Sequence, residues 1–390
     1  MQTAAGYPVK KKIFIAGSTG SIGVSALSII DKLNAAGHRF SVEGLAAGSN
    51  YRRLRQQILK YMPKAVYIGD SDLYTRLKKE FVKISFFSSG DFDGAINKSA
   101  PEIVLNGVSG SAGIFPTLAA VKRGVILALA NKESLVMAGT VVLKEAAKSG
   151  TKIIPVDSEH SAVFQILRGI KNCAVEKIIL TASGGPFLHR PNLNPTAAQA
   201  LSHPTWKMGK KISIDSATMM NKGLEIIEAH YLFNLPYKKI EAIIHPQSLI
   251  HSMVETCDGE IYAQIGHNDM RFPIQNAFTY PDICYSPLKR LKLWELKELT
   301  FIKPDMKKYP LFQLALTCAE KGGSAPVVLN AANEAAVNLF LAGKIQFCDI
   351  YRIVYRALSR HTRKIRADIH EIIELDSEIK RKIFTEENHD

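Results

Sequence analysis

Residues 12–23 read Lys12-Ile-Phe-Ile-Ala-Gly17-Ser-Thr-Gly20-Ser-Ile-Gly23, an apolar run that breaks into glycines and then into helical periodicity through Leu33. Strand, glycine turn and helix in that order open a βαβ unit able to hold a dinucleotide. Gly17 permits the tight turn, Gly20 the approach of a pyrophosphate, and Gly23 close packing of helix on strand. The free N–H groups of the helix start then face the anion. The spacing is G-x-x-G-x-x-G and not G-x-G-x-x-G, so the strand–turn–helix context carries the reading. Working outward, Phe40–Ala47, Ala65–Ile68, Ile103–Leu105 and Val125–Leu129 are further apolar runs, and Tyr51–Lys60 is a basic helix. This alternation predicts a mostly parallel sheet covered on both faces.

Beyond residue 150 the pattern changes. Lys177–Thr181, Ile240–Ile244 and Glu260–Ile265 read as strands among loops and helices, an α+β arrangement. Residues 281–305 carry prolines at 281, 287 and 304 and little periodicity. Helical pattern then dominates, over Leu311–Ala319, Pro326–Leu341, Asp349–Leu358 and Ile369–Lys382. The expected fold is α/β: a Rossmann-like domain over 8–156, an α+β domain over 157–284, a linker over 285–306, and a C-terminal α-helical domain over 307–390.

The 390 residues are 46% hydrophobic and 22% charged, the balance of a soluble globular protein. A net charge of +14 suits phosphorylated small molecules, nucleic acid or anionic lipid. No zinc-finger spacing or basic–aromatic repeat favours nucleic acid. The five cysteines, at 173, 257, 284, 318 and 348, are scattered and odd in number, which points to a reducing, cytosolic setting. No apolar run reaches the length of a membrane span, and no signal-like segment opens the chain.

Chemistry concentrates in four places. The second strand ends Ala46-Ala-Gly48-Ser49-Asn50, followed by Tyr51, Arg52 and Arg53. The acid that binds a ribose 2′-hydroxyl in NAD sites is absent, so NADPH is expected over NADH. Ile153–Val156 leads into Asp157-Ser158-Glu159. Read as extended chain, Asp157 and Glu159 point to one side and share a hard cation, magnesium or manganese, with Glu225 or Glu228 as a third ligand. Residues 215–228 (Asp-Ser-Ala-Thr-Met-Met-Asn-Lys-Gly-Leu-Glu-Ile-Ile-Glu), read as helical from about Ala217, set Asn221, Lys222 and Glu225 on one face. Thr181-Ala-Ser183-Gly-Gly-Pro186 is a loop with bare N–H groups for an oxyanion or phosphate. His203-Pro-Thr-Trp206-Lys-Met-Gly209 reads either as a lid or as a loop anchored by Trp206 to a core.

Gly-Ser-Thr-Gly-Ser-Ile-Gly (17–23), Ala-Asn-Lys-Glu-Ser (130–134), Asp-Ser-Glu-His-Ser (157–161), Ser-Gly-Gly-Pro-Phe (183–187) and Ser-Ala-Thr-Met-Met-Asn-Lys-Gly-Leu-Glu (216–225) resemble, in that order, the 1-deoxy-D-xylulose 5-phosphate reductoisomerase family. Asn-Ala-Ala-Asn-Glu-Ala-Ala-Val (330–337) resembles the family's C-terminal helical domain. The resemblance runs from about Lys12 to beyond Asp349. It implies a homodimer that converts 1-deoxy-D-xylulose 5-phosphate to 2-C-methyl-D-erythritol 4-phosphate with NADPH and a divalent metal, in non-mevalonate isoprenoid synthesis. It further implies Asp157, Glu159 and Glu225 as metal ligands, and Lys132 and Ser158 at the substrate's hydroxyl and carbonyl region. Ser183, Ser216, Asn221 and Lys222 would bind the phosphate, with His203 and Trp206 in the lid. Thr19, Gly20, Ser21, Ile22, Gly48, Ser49, Asn50, Asn131, Glu133 and Gly209 would bind NADPH. The chain departs from the family pattern at Thr205, where Asn is frequent, and at Ser49, where Lys or Arg is frequent. The second departure leaves 2′-phosphate selectivity to Asn50 and to Arg52 or Arg53. A metal-free Rossmann dehydrogenase and a basic nucleic-acid-binding protein are the rival readings. The first is separated by a chelator and the second by salt-dependent binding to duplex DNA.

Overall fold

The computed structural model describes residues 9–171, 174–189, 194–206 and 208–387. Residue 8 of the expected first domain, residues 388–390 of the expected last one, Cys173, and Lys207 of the lid loop lie outside the described residues. The chain forms two compact units. Residues 1–131, 142–161 and 269–290 make the first, and residues 132–141, 162–268 and 291–390 the second.

The first unit is built on β1 (Lys10–Ala16), α1 (Ser21–Ala35), β2 (Arg39–Ala47), α2 (Tyr51–Tyr61), β3 (Ala65–Ile68), α3 (Ser71–Glu80), β4 (Ser85–Phe87), α4 (Phe92–Ser99), β5 (Ile103–Asn106), α5 (Ile114–Arg123) and β6 (Ile126–Leu129). Helix α6 (Glu133–Ser149), interrupted at Ala138 (φ −136°, ψ 26°), leads to β7 (Ile153–Pro155) and α7 (Ser158–Leu167). All seven strands are parallel, in the order β4-β3-β2-β1-β5-β6-β7. Ile13, Phe14, Ile15 and Ala16 of β1 are fully buried, as a strand covered on both faces must be. The order reverses between β1 and β5, the switch point where such sheets bind ligands beyond the strands' carboxyl ends. The expected strands are all present. The short β4 had no counterpart in the sequence reading.

The second unit holds a mixed sheet of β8 (Val175–Ala182), β9 (Ile240–Ile244), β10 (Ile250–Thr256) and β11 (Ile261–Ile265), in the order β11-β10-β8-β9. Helices α8 (Ala197–Leu201), α9 (Lys210–Ala217) and α10 (Met220–Phe233) lie between β8 and β9 in sequence. Ile178, Leu180 and Ile240 from the sheet pack with Ile226 and Phe233 of α10 and with Phe312. Helix α11 (Arg271–Thr279) belongs to the first unit and packs on α1, with Phe278 fully buried near Phe40. The remaining helices are α12 (Pro310–Lys321), α13 (Ala325–Leu341), α14 (Asp349–Arg360) and α15 (Ile369–Glu386), with α13 packed against α12, α14 and α15. Ile244 and Ile302 exchange backbone hydrogen bonds of 2.8 Å, so the segment before α12 closes the β9 edge. No described helix is long and apolar enough to cross a membrane.

Candidate active site

In the first unit the glycine turn has the shape a dinucleotide cradle requires. Gly17 has φ +80°, and a Cβ there would lie 2.7 Å from the Gly107 carbonyl of the neighbouring strand end. A Cβ on Gly23 would meet the Gly17 oxygen at 2.4 Å, so α1 sits directly on the turn. Gly20 caps α1, with Thr19, Ser21 and Ile22 around the helix start. The turn is braced from α2: Gln57 donates to the Ser18 carbonyl at 2.8 Å, and Arg53 to the Thr19 carbonyl at 2.9 Å.

The end of β2 leads into Gly48, where an added Cβ would meet nothing within 4 Å, then Ser49 and Asn50. The Asn50 side chain caps α2 by accepting from the Arg53 N–H at 3.2 Å. Of the two arginines the sequence offered, Arg53 is therefore tied to the turn. Asn131 follows β6 and donates to the carbonyls of Val108 and Gly110 at 2.8 and 2.9 Å, which pins the loop beyond β5. A backbone cradle at the switch point and no acid at the end of β2 fit a phosphorylated dinucleotide.

Asp157 and Glu159 require a correction. They do not lie on extended chain: β7 stops at Pro155, and α7 begins at Ser158. Asp157 precedes the helix, accepting from the Ser158 N–H at 3.0 Å, while Glu159 sits in the first turn and accepts from the Ser158 hydroxyl at 2.5 Å. A helix N-terminus favours carboxylates at these positions. All-oxygen donors of this kind suit a hard divalent cation.

The second unit gathers the remaining residues. Helical structure does not run on from Ala217 as expected, because α9 ends there and Met219 turns left-handed (φ 56°) before α10 starts. Within α10, Asn221, Lys222 and Glu225 do share a face. The Lys222 ammonium and the Asn221 amide both donate to the Glu225 carboxylate. Lys132, at the start of α6, donates to Asn221 Oδ1 at 2.7 Å and to Glu225 Oε1 at 3.0 Å. Lys132, Lys222 and Glu225 are all buried.

The loop after β8 brings hydroxyls together. Ser183 Oγ lies 2.8 Å from His203 Nε2 and 3.4 Å from Ser216 Oγ. His203 Nδ1 accepts from the backbone N–H of Trp206 at 3.0 Å, so its Nε2 carries the proton and donates to Ser183. Burial lowers the His203 pKa to about 4, which keeps the ring neutral near pH 7. Gly185 has φ +71°, and a Cβ there would stand 2.7 Å from the Ser216 carbonyl, so only glycine lets this loop lie against α9. Tyr309 donates to the Gly184 carbonyl at 2.9 Å and fixes the same turn. Trp206 is partly buried, its ring 6.0 Å from that of His251.

Four residues of this corner had no role in the sequence reading. Lys211, two residues past Gly209, contacts Glu133 at 2.7 Å and Asp215 at 2.8 Å, and Asn333 of α13 donates to Asp215 at 2.8 Å. Burial by itself would lower the Lys211 pKa, but the charges of Asp215 and Glu133 outweigh it and raise it. Burial pushes Glu133 up, and Lys211 more than reverses that, leaving a lowered carboxyl. The i,i+4 spacing of Lys211 and Asp215 was a visible signal, whereas the pairing with Glu133 and Asn333 was not. His251 is the fourth. Burial, with the nearby charge of Lys222 among the smaller causes, lowers its pKa to about 4.

Comparison with known proteins agrees along the whole chain. A model described as 1-deoxy-D-xylulose 5-phosphate reductoisomerase matches residues 13–139. Two models of that enzyme's C-terminal domains match residues 153–233 and 265–382. The 1-deoxy-D-xylulose 5-phosphate reductoisomerase of Acetivibrio thermocellus is 48% identical over 371 residues, covering 94% of this chain and 96% of its own. That of Symbiobacterium thermophilum is 46% identical over 380 residues, with the same coverage of 94% and 96%. A crystal structure of DOX-P reductoisomerase in complex with NADPH, fosmidomycin and magnesium has a TM-score of 0.91 at 36% identity, covering 97% of this chain and 98% of its own. The enzyme from Zymomonas mobilis in complex with NADPH has a TM-score of 0.87 at 38% identity, covering 98% and 99%. The chain belongs to the 1-deoxy-D-xylulose 5-phosphate reductoisomerase family and is an enzyme of that class.

Proposed function

We propose that this protein converts 1-deoxy-D-xylulose 5-phosphate to 2-C-methyl-D-erythritol 4-phosphate in non-mevalonate isoprenoid synthesis, using NADPH and a divalent cation, magnesium or manganese. The observation that carries this reading is the buried corner where Lys132 and Lys222 converge on the single carboxylate of Glu225, with the Asn221 amide beside them. Two ammonium groups, an amide and a carboxylate gathered in one buried place suit an anionic, oxygen-rich ligand with a hard cation beside it. DOX-P reductoisomerase has been crystallised with NADPH and magnesium, which supports the same cofactors here.

In this reading Asp157, Glu159 and Glu225 hold the metal. Thr19, Gly20, Ser21, Ile22, Gly48, Ser49, Asn50, Asn131, Glu133 and Gly209 hold NADPH. When bound, the cation polarises neighbouring substrate oxygens, and NADPH supplies the hydride that reduces the rearranged skeleton. The chain's own residues do the rest. Lys132 steadies negative charge developing on a substrate oxygen. Ser183, Ser216, Asn221, Lys222 and the His203 Nε2–H donate to the phosphate, and Ser158 meets a substrate hydroxyl. Trp206 closes over the substrate and excludes water. The functional division is a nucleotide domain over 8–156, a catalytic domain over 157–284, a linker over 285–306 and a helical domain over 307–390. A cytosolic setting accords with the free thiols of Cys257, Cys284, Cys318 and Cys348.

The test is NADPH oxidation with the purified sugar phosphate, with magnesium and with a chelator in excess. Oxidation that needs the sugar phosphate and stops with the chelator is the expected result. Oxidation indifferent to the chelator would instead identify a metal-free dehydrogenase.

A further inference from the structure

Glu133 directly follows Lys132, and the two side chains enter different ionic clusters. Lys132 meets Asn221 and Glu225 on α10. Glu133 meets Lys211 of α9 at 2.7 Å, and Lys211 in turn meets Asp215 at 2.8 Å. Asp215 accepts from Asn333 of α13 at 2.8 Å, which anchors the chain of contacts in the helical part of the unit. The side chains are 8% (Glu133), 14% (Lys211) and 1% (Asp215) exposed, so these are not solvated surface pairs. An apolar trio of the same size would fold at least as well, since desolvating three charges costs as much as their attraction returns. What such a trio cannot do is hold a carboxylate ionised and in one rotamer. A preset carboxylate accepts from a ribose hydroxyl without first being ordered.

We propose that Lys211 is a positioning residue for NADPH. It fixes the Glu133 carboxylate, and Asp215 and Asn333 fix Lys211. The inference rests on the reading of Glu133 as an NADPH contact. Lys211 touches neither cofactor nor sugar phosphate in this scheme, and it acts only through Glu133.

The experiment is equilibrium titration of the full-length protein with NADPH, followed by nucleotide fluorescence in the absence of sugar phosphate. It compares Lys211→Met, Lys211→Arg, Glu133→Gln and the double variant, with melting curves to confirm folding. The expected results are a loss of affinity of about tenfold or more in Lys211→Met and in Glu133→Gln, and recovery of most of the loss in Lys211→Arg. In the double variant the loss matches that of Glu133→Gln alone, because the carboxylate that Lys211 positions is already gone. If Lys211→Met does not fold, the double variant, in which both charges are removed, is compared with Glu133→Gln. Equal affinities support the proposal, and a further tenfold loss overturns it. Unchanged affinity in a folded Lys211→Met, beside a loss in Glu133→Gln, overturns the role of Lys211 alone. Unchanged affinity in Glu133→Gln overturns both that role and the reading of Glu133 on which it rests.

Discussion

Glu225 is the side chain on which the buried donors converge. Lys132, Asn221 and Lys222 all donate to it. Glu225→Gln keeps the shape but removes the negative charge to which both buried ammonium groups donate. Removing one partner of a buried ion pair costs on the order of 3–5 kcal/mol, so the melting temperature should fall. As the proposed metal ligand Glu225 also bears on turnover, expected to drop about a hundredfold or more while NADPH affinity stays near wild type. Near-normal turnover at limiting magnesium would remove Glu225 from the metal site. The Asn221–Lys222–Glu225 face was legible in the sequence because its members lie three and four residues apart on one helix. Lys211, Glu133 and Asn333 were not legible as a group. Glu133 lies 78 residues from Lys211, and Asn333 lies 118 from Asp215, distances at which no periodicity reports a contact.

At the level of elements, the strand–turn–helix order around the glycines was read correctly, and its geometry makes a sharp demand on α1. A methyl group on Gly23 would collide with the Gly17 oxygen and the Ser18 α-carbon, each at 2.4 Å, and these are backbone atoms that cannot rotate away. Gly23→Ala should push α1 off the turn and weaken NADPH binding by about tenfold or more, the scale of a 1–3 kcal/mol overpacking strain. A nucleotide titration that matches wild type would show that the turn does not cradle phosphate. Other elements were harder to read. Strand β10 (Ile250–Thr256) is buried along nearly its whole length and mixes His251, Ser252 and Glu255 with apolar residues, so no alternation betrays it. The break between α9 and α10 depends on left-handed backbone at Met219, a residue type with no turn preference. Asp157 and Glu159 were placed on the wrong element, because a three-residue strand running into a helix looks extended for longer than it is.

For the whole molecule, one buried and one partly buried imidazole predict a stability profile. Burial lowers both His203 and His251 from 6.5 to about 4. Below about pH 6.5 the unfolded chain protonates these rings while the native protein does not, so the unfolded state binds more protons. Stability is therefore fully present above that value and falls as the pH drops towards about 4. The urea midpoint should be lower at about pH 5.5 than at pH 7, a range in which ordinary carboxylates hardly titrate. His251→Gln should shrink the difference, and an unchanged difference would mean that His251 is not held neutral. A homodimer is proposed from the sheet of the second unit, where edge strand β11 exposes Ile261 (53%), Tyr262 (47%) and Ile265 (39%). Ile261→Asp with Ile265→Asp should move the sedimentation coefficient from dimer to monomer, and a wild-type dimer that persists would place the interface elsewhere. Helix α11, more than a hundred residues past β7, completes the first unit by packing on α1 and burying Phe278. A gene fragment ending near residue 150 would carry every strand of the parallel sheet but the last, and would lack the helix that covers α1. The nucleotide-binding half is thus not a portable module. Chimeras cut at a single crossover should yield insoluble protein, whereas exchanging residues 269–290 together with the N-terminal segment should keep the fold.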